Sequence, residues 1–127
     1  MWVRDEKTIR EQFAFWAESR AQVWEYTSGH GLLLIRYFRP GYRFDFYVLC
    51  ADCRKVRFSS MGWNSAGLQL EVKPDPKRDD EDFKFRIQDG ENLFATCRGL
   101  SVMESEEKVF IDWPPESRIK NEKQILV

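Results

Sequence analysis

Hydrophobic positions recur at two different spacings along this chain, and the change of spacing divides it. From Ile9 through Phe13, Trp16, Arg20 and Trp24 the step is three or four residues, with Ala17 and Ala21 beside the stripe. That is the repeat of one helix face, and the aliphatic stem of Arg20 can complete it while the charge reaches solvent. Thr8 and Glu11 stand at capping-box spacing near the start, and Ser28, Gly29 and Gly31 around His30 supply a stop. The spacing predicts a helix over about residues 6–26.

After residue 31 the spacing drops to two. Residues 32–38, 44–50 and 55–59 form short apolar or alternating runs. In the second, Phe44, Phe46, Val48 and Cys50 share one parity and Asp45, Tyr47 and Leu49 the other. Pro40 and Gly41 end the first run, and residues 51–54 are expected to reverse the chain tightly, making the next two runs a local antiparallel pair. Residues 61–67 read as a hairpin loop around Trp63. Leu68, Leu70 and Val72 then alternate with Gln69, Glu71 and Lys73. A charged, proline-containing stretch at 73–82 interrupts the pattern, which resumes at Phe83, Phe85 and Ile87, turns at 89–92, continues over 93–102 and ends with a strand at 109–113 before Pro114 and Pro115.

These patterns predict one domain, residues 1–127, of the α+β class. An N-terminal amphipathic helix packs on a mostly antiparallel sheet of five to seven strands in the region 32–113, with a partial barrel as the more curved variant. The tail, about 114–127, is expected to be flexible or a short helix.

Composition sharpens this picture in one respect. Ten Phe, five Trp and four Tyr among 127 residues exceed what a minimal core requires, so the surplus either thickens the core or forms a patch that binds something. The 20 basic and 21 acidic side chains nearly cancel, which removes the bulk attraction of a nucleic-acid binder and disfavours that partner. The signs are nonetheless segregated. Arg36, Arg39, Arg43, Arg54, Lys55 and Arg57 fall among the first strands, whereas Asp79, Asp80, Glu81 and Asp82 form one acidic run and Glu104, Glu106 and Glu107 another. The candidate interaction surface is therefore Arg36, Arg39, Arg43 and Arg57 with Tyr42 and Trp63. Trp63 would be its anchor, since indole buries much area at little entropic cost. The competing reading is an ordinary solvated face with Trp63 folded back over a sheet edge.

Cys50 and Cys53 form a C-x-x-C pair. A tetrahedral zinc on them would draw on Cys97 and His30 as well, consuming every cysteine and the single histidine, with a carboxylate such as Asp52 as the less favoured substitute. A thioredoxin-like role would want the pair at a helix N-terminus, not between strands. The ordinary alternative is a core thiol at Cys50, a partly exposed one at Cys53 and a buried one at Cys97. No cofactor is expected. His30 could serve acid-base chemistry with Cys53, but no third group is indicated, and enzyme status stays open. Asp45, Asp52 and Glu71 do not declare a catalytic carboxylate pair, and Gly62 and Gly67 lack the lysine-serine or lysine-threonine of a phosphate loop.

An odd cysteine count and an N-terminus without a secretory pattern predict a cytoplasmic protein with reduced thiols. The longest aliphatic run, residues 32–35, is far too short for a bilayer. The expected function is a small soluble protein-interaction module without catalytic activity, such as an inhibitor or immunity-like protein that masks a charged site on another protein. A binder of a small or anionic ligand in a curved-sheet cavity is the alternative, and a cysteine- or zinc-dependent enzyme the second. An uncovered aromatic sheet face would make a homodimer a natural solution.

Overall fold

Asp5 opens the helix. In the structure, a computed structural model that describes residues 2–74 and 83–111, its carboxylate accepts from Thr8 N at 3.0 Å and Thr8 Oγ1 at 2.8 Å. Asp5, not Thr8, is thus the N-cap of α1 (Glu6–Phe15). Ile9, Phe13 and Trp16 are buried beneath it. The helix ends far short of residue 26. Glu18 takes a left-handed backbone conformation (φ 64°), and the chain re-emerges as strand β1 (Arg20–Thr27).

The segment from Arg20 contains Val23, Trp24, Tyr26 and Thr27, residue types that suit a pleated surface. Its four-residue step between Arg20 and Trp24 is accidental to the fold. Ala21 and Val23 alternate inward, and Trp24 is the extra residue of a β-bulge: Val23 faces Ile35 and Glu25 faces Leu34, with Trp24 left between them.

A short 3-10 turn, Ser28–His30, leads to β2 (Leu32–Phe38), followed by β3 (Asp45–Ala51), β4 (Lys55–Phe58), β5 (Gly62–Asn64), β6 (Gln69–Val72), β7 (Phe85–Asp89), β8 (Leu93–Cys97) and β9 (Gly99–Ser105). One helix and nine strands, in two antiparallel sheets, make an α+β fold among the described residues. The five-stranded sheet has the order β5-β1-β2-β3-β9 and the four-stranded sheet β4-β8-β7-β6. Neither closes into a barrel.

Four local expectations change accordingly. Residues 51–54 do not close a hairpin, because β3 pairs with β2 and β9 while β4 pairs with β8 in the other sheet. Residues 61–67 hold β5, an edge strand beside β1. The run 93–102 breaks at Arg98, where one residue carries the chain from the smaller sheet to the larger. Residues 109–111 form no strand; residues 112–113 and the tail lie outside the described residues.

The principal core fills the space between the sheets. Leu33, Ile35 and Tyr37 from β2 and Phe46, Val48 and Cys50 from β3 meet Ile87, Leu93, Ala95 and Cys97 from the smaller sheet. The helix bridges both layers. Trp16 stacks on Phe46 at 5.7 Å and donates Nε1 to Glu104 of β9 at 3.0 Å, while Arg10 donates to the Leu70 carbonyl of β6 at 3.0 Å.

The opposite face of the larger sheet is also covered. Leu34 and Tyr47 pack with Trp2, Trp24, Val109 and Ile111. The bulge makes this cover possible, because both Trp24 and Glu25 grip the crossing segment: Trp24 Nε1 donates to Val109 O and Ile111 N donates to Glu25 Oε1, each at 2.7 Å.

Between the sheets lies one fully buried carboxylate. Asp89, at the end of β7, accepts from Tyr37 Oη at 2.9 Å, Trp63 Nε1 at 3.0 Å, Ser65 Oγ at 2.5 Å and Ala66 N at 3.3 Å. Trp63 is therefore an internal tie between the sheets. It is 5% exposed, so it cannot anchor a partner.

Candidate functional site

Most of the arginines predicted to form one binding face are engaged within the chain, each in a different place. Arg36, on the covered face of β2, donates Nε to Asp45 at 2.7 Å and Nη1 to Gln22 at 3.0 Å, with its guanidinium over Phe38 and Trp24. Arg39 closes the end of the helix. It donates to the carbonyls of Phe15 and Ala17 and to Ser19 Oγ, and lies over the Phe15 and Trp16 rings. Arg43 pairs with Glu106 at 2.7 Å on the surface. Tyr42 is exposed but leans on Trp16 at 5.3 Å and Phe15 at 6.1 Å. Arg57 stands apart from all of these, on the smaller sheet.

Around Arg57 the surface is hollowed. An open trough of about 670 Å³ is lined by Tyr26, Arg57, Phe58 and Phe94, with Gln88 and Glu91 at one end. It continues into a second hollow of about 620 Å³ that shares Tyr26, Val56, Arg57 and Phe94 and adds Arg54 and Lys55. The two together follow β4 along its length.

The fold explains why these side chains meet. Arg57 and Phe94 are direct partners across β4 and β8, and the guanidinium lies 4.9 Å from the ring centre. Tyr26 comes from the other sheet. After the bulge it sits opposite Leu33, and its ring meets Phe58 edge-on at 5.9 Å. Strand β4 is an edge strand, hydrogen-bonded to β8 alone among the named strands. Its second row of backbone donors and acceptors meets no other named strand.

Of the predicted interaction residues, only Arg57 belongs to this trough. Tyr26 was hidden inside the expected helix, and Phe94 inside what read as one continuous strand. Tyr26, between Glu25 and Thr27, carries the alternation of a strand, whereas Phe94, between Leu93 and Ala95, carries no such signal.

No family model, curated protein or solved structure matches this chain. The chemistry must be read from the residues themselves.

The structure does bring the three cysteines together. Cys50 on β3 is fully buried and shares the principal core with Cys97, and Cys53 packs against that core. Cys53 is partly exposed, and its Sγ also lies 3.5 Å from the Cys50 carbonyl. The Cys50 side chain beside it holds the Cys53 thiol below its ordinary pKa, against burial and the nearby Asp52 charge. The neighbouring Cys53 and Cys97 side chains, and then burial, push the Cys50 thiol well up.

His30 lies on the exposed 3-10 turn, next to Gly31, whose carbonyl accepts from Cys53 N at 2.9 Å. Among the described residues no three His, Cys, Asp or Glu side chains are arranged to hold a metal ion. Among them, too, no helix is long and apolar enough to cross a membrane.

Proposed function

We propose that this protein is a non-catalytic interaction module that holds an extended, acidic segment of another protein along β4. The supporting observation is an edge strand bordered by an open trough that is both aromatic and basic. Backbone pairing to β4 would supply affinity without regard to sequence, and the trough would read side chains. Four residues of β4 span about 13 Å at about 3.3 Å per residue, enough for a short extended segment.

Charge selects the partner. Lys55 and Arg57 project from β4, and Arg54, paired with Asp52 at 3.3 Å, precedes them. A second copy pairing through β4 would bring these cations against their own counterparts, which disfavours a homodimer here. An acidic segment meets no such repulsion. This is the chemistry of an inhibitor or immunity-like protein that masks an acidic site, and the free thiols suit a cytoplasmic setting. A small-ligand reading has less support because the trough is open along its length, whereas small-ligand sites bury most of their ligand.

Fluorescence anisotropy with acidic, neutral and basic peptides of equal length tests the proposal. The acidic peptide should bind with an affinity that falls as salt rises, and Arg57→Glu and Tyr26→Ala should each weaken it by about tenfold or more. Equal affinity for the basic peptide, or unchanged binding by both variants, would sink it. Sedimentation at the same concentrations should show a monomer; a dimer abolished by Arg57→Glu would assign β4 to self-association instead.

A further inference from the structure

We infer that Cys53 and Cys50 form a peroxide-sensitive thiol pair, in which Cys53 takes the first oxidation and Cys50 closes an intramolecular disulfide. This inference does not rest on the peptide trough, although Arg54 borders both. It lies on the link between β3 and β4, where the chain turns sharply enough to bring residues three apart into contact.

The turn is built in three ways. Asp52 adopts a left-handed conformation (φ 53°), which an aspartate tolerates better than most side chains. Cys53 N is held by the Gly31 carbonyl at 2.9 Å. The Asp52 carboxylate faces Arg54 at 3.3 Å and Arg98 at 3.9 Å. With the main chain so fixed, the Cys53 thiol folds back onto Cys50 and donates to its carbonyl at 3.5 Å.

Exposure divides the roles. Cys53 is reached by solvent, while Cys50 and Cys97 are fully buried. The depressed pKa of Cys53 raises its thiolate fraction, the form that attacks peroxide. The Cys53 sulfur attacks one oxygen of hydrogen peroxide, the O–O bond breaks, and hydroxide leaves to take up a proton as water. Cys53 is then a sulfenic acid. The Cys50 sulfur attacks it, the S–O bond breaks, and the departing hydroxide takes the Cys50 proton. Two thiols and one peroxide give one disulfide and two waters. Cys97, on β8 in the other sheet, is left as a thiol.

The test is one equivalent of hydrogen peroxide added to the native protein, followed by alkylation, intact mass and peptide mapping. The wild-type chain should lose two hydrogens, retain one alkylatable thiol at Cys97 and yield a linked Cys50–Cys53 peptide that dithiothreitol reverses. Before oxidation, Cys53 should alkylate about tenfold faster than Cys97 or more. Cys97→Ser should still form the bond, and Cys50→Ser should leave a Cys53 sulfenic acid that dimedone traps. A Cys50–Cys97 link, a Cys53-linked dimer, or three intact thiols under peroxide that oxidises free cysteine would each overturn the inference. The wild-type map depends on no variant, so a misfolded mutant cannot obscure it.

Discussion

Four donors at 2.5 to 3.3 Å surround the Asp89 carboxylate of the smaller sheet, and they come from the larger sheet and the loop after β5. A carboxylate removed from water survives there because every approach is a hydrogen bond, two of them from the indole and phenol of otherwise apolar side chains. Asp89→Ala would strand Tyr37 Oη, Trp63 Nε1 and Ser65 Oγ in a dry interior. Urea unfolding should show a loss of about 4 kcal/mol or more, larger than any single exposed ion pair could produce. Restoring only the volume, as Asp89→Leu does, should recover little of it. Trp63 illustrates how a residue type can point the wrong way when read alone. In the sequence it sits among glycines and small polar residues as an interface anchor would, but its partner is 26 residues downstream, and nothing local announces an acid waiting in the core.

At the scale of elements, the join between α1 and β1 shows where sequence reading holds and where it gives way. The strands β2, β3 and β6 are legible because alternation follows from the pleat itself, and the turn residues beside them need no distant partner. The α+β class and the antiparallel pairing follow from the same signals. Helix and strand were confused at residues 16–26 because Trp16, Arg20 and Trp24 fall four apart by chance, and because the break is made by Glu18 instead of glycine. The partner of β4 and the break between β8 and β9 are not legible, since pairing between residues as far apart as Lys55 and Thr96 leaves no local trace. The same limit applies to the trough: Arg57 was visible as a charge on a strand, whereas Tyr26 and Phe94 reach it only through tertiary pairing. The left-handed Glu18 carries a prediction of its own. A side chain there costs about 1–2 kcal/mol that glycine would not, partly offset by the freer unfolded chain. Glu18→Gly should therefore stabilise the protein by roughly 0.5 kcal/mol in chemical denaturation, with its circular dichroism unchanged.

Taken as a whole, the molecule has its two sheets tied through Asp89, its helix spanning both, and its larger sheet covered on each face. Tyr37 reports on that union. Burial, and then the Asp89 charge, raise its phenol pKa well above 10.0. A raised folded-state pKa contributes stability that is fully present below the unfolded value and is lost as pH rises through the folded one. Tyr47, also buried, is raised too, so alkaline titration should show a late step, smaller by one tyrosine in Tyr37→Phe, that coincides with the loss of the circular dichroism signal. An early, independent ionisation of Tyr37 would mean that the sheets part locally. The bulge in β1 bears on this unity differently. The pairings Val23 to Ile35, Glu25 to Leu34 and Tyr26 to Leu33 already run without a gap on the β2 side. Trp24 is thus an insertion into a hairpin whose ladder is complete without it. Excising that one residue would leave Tyr26 in its place beside Phe58 and strip away the indole that holds Val109. The trough and the outer cover are separable parts, and a single codon divides them.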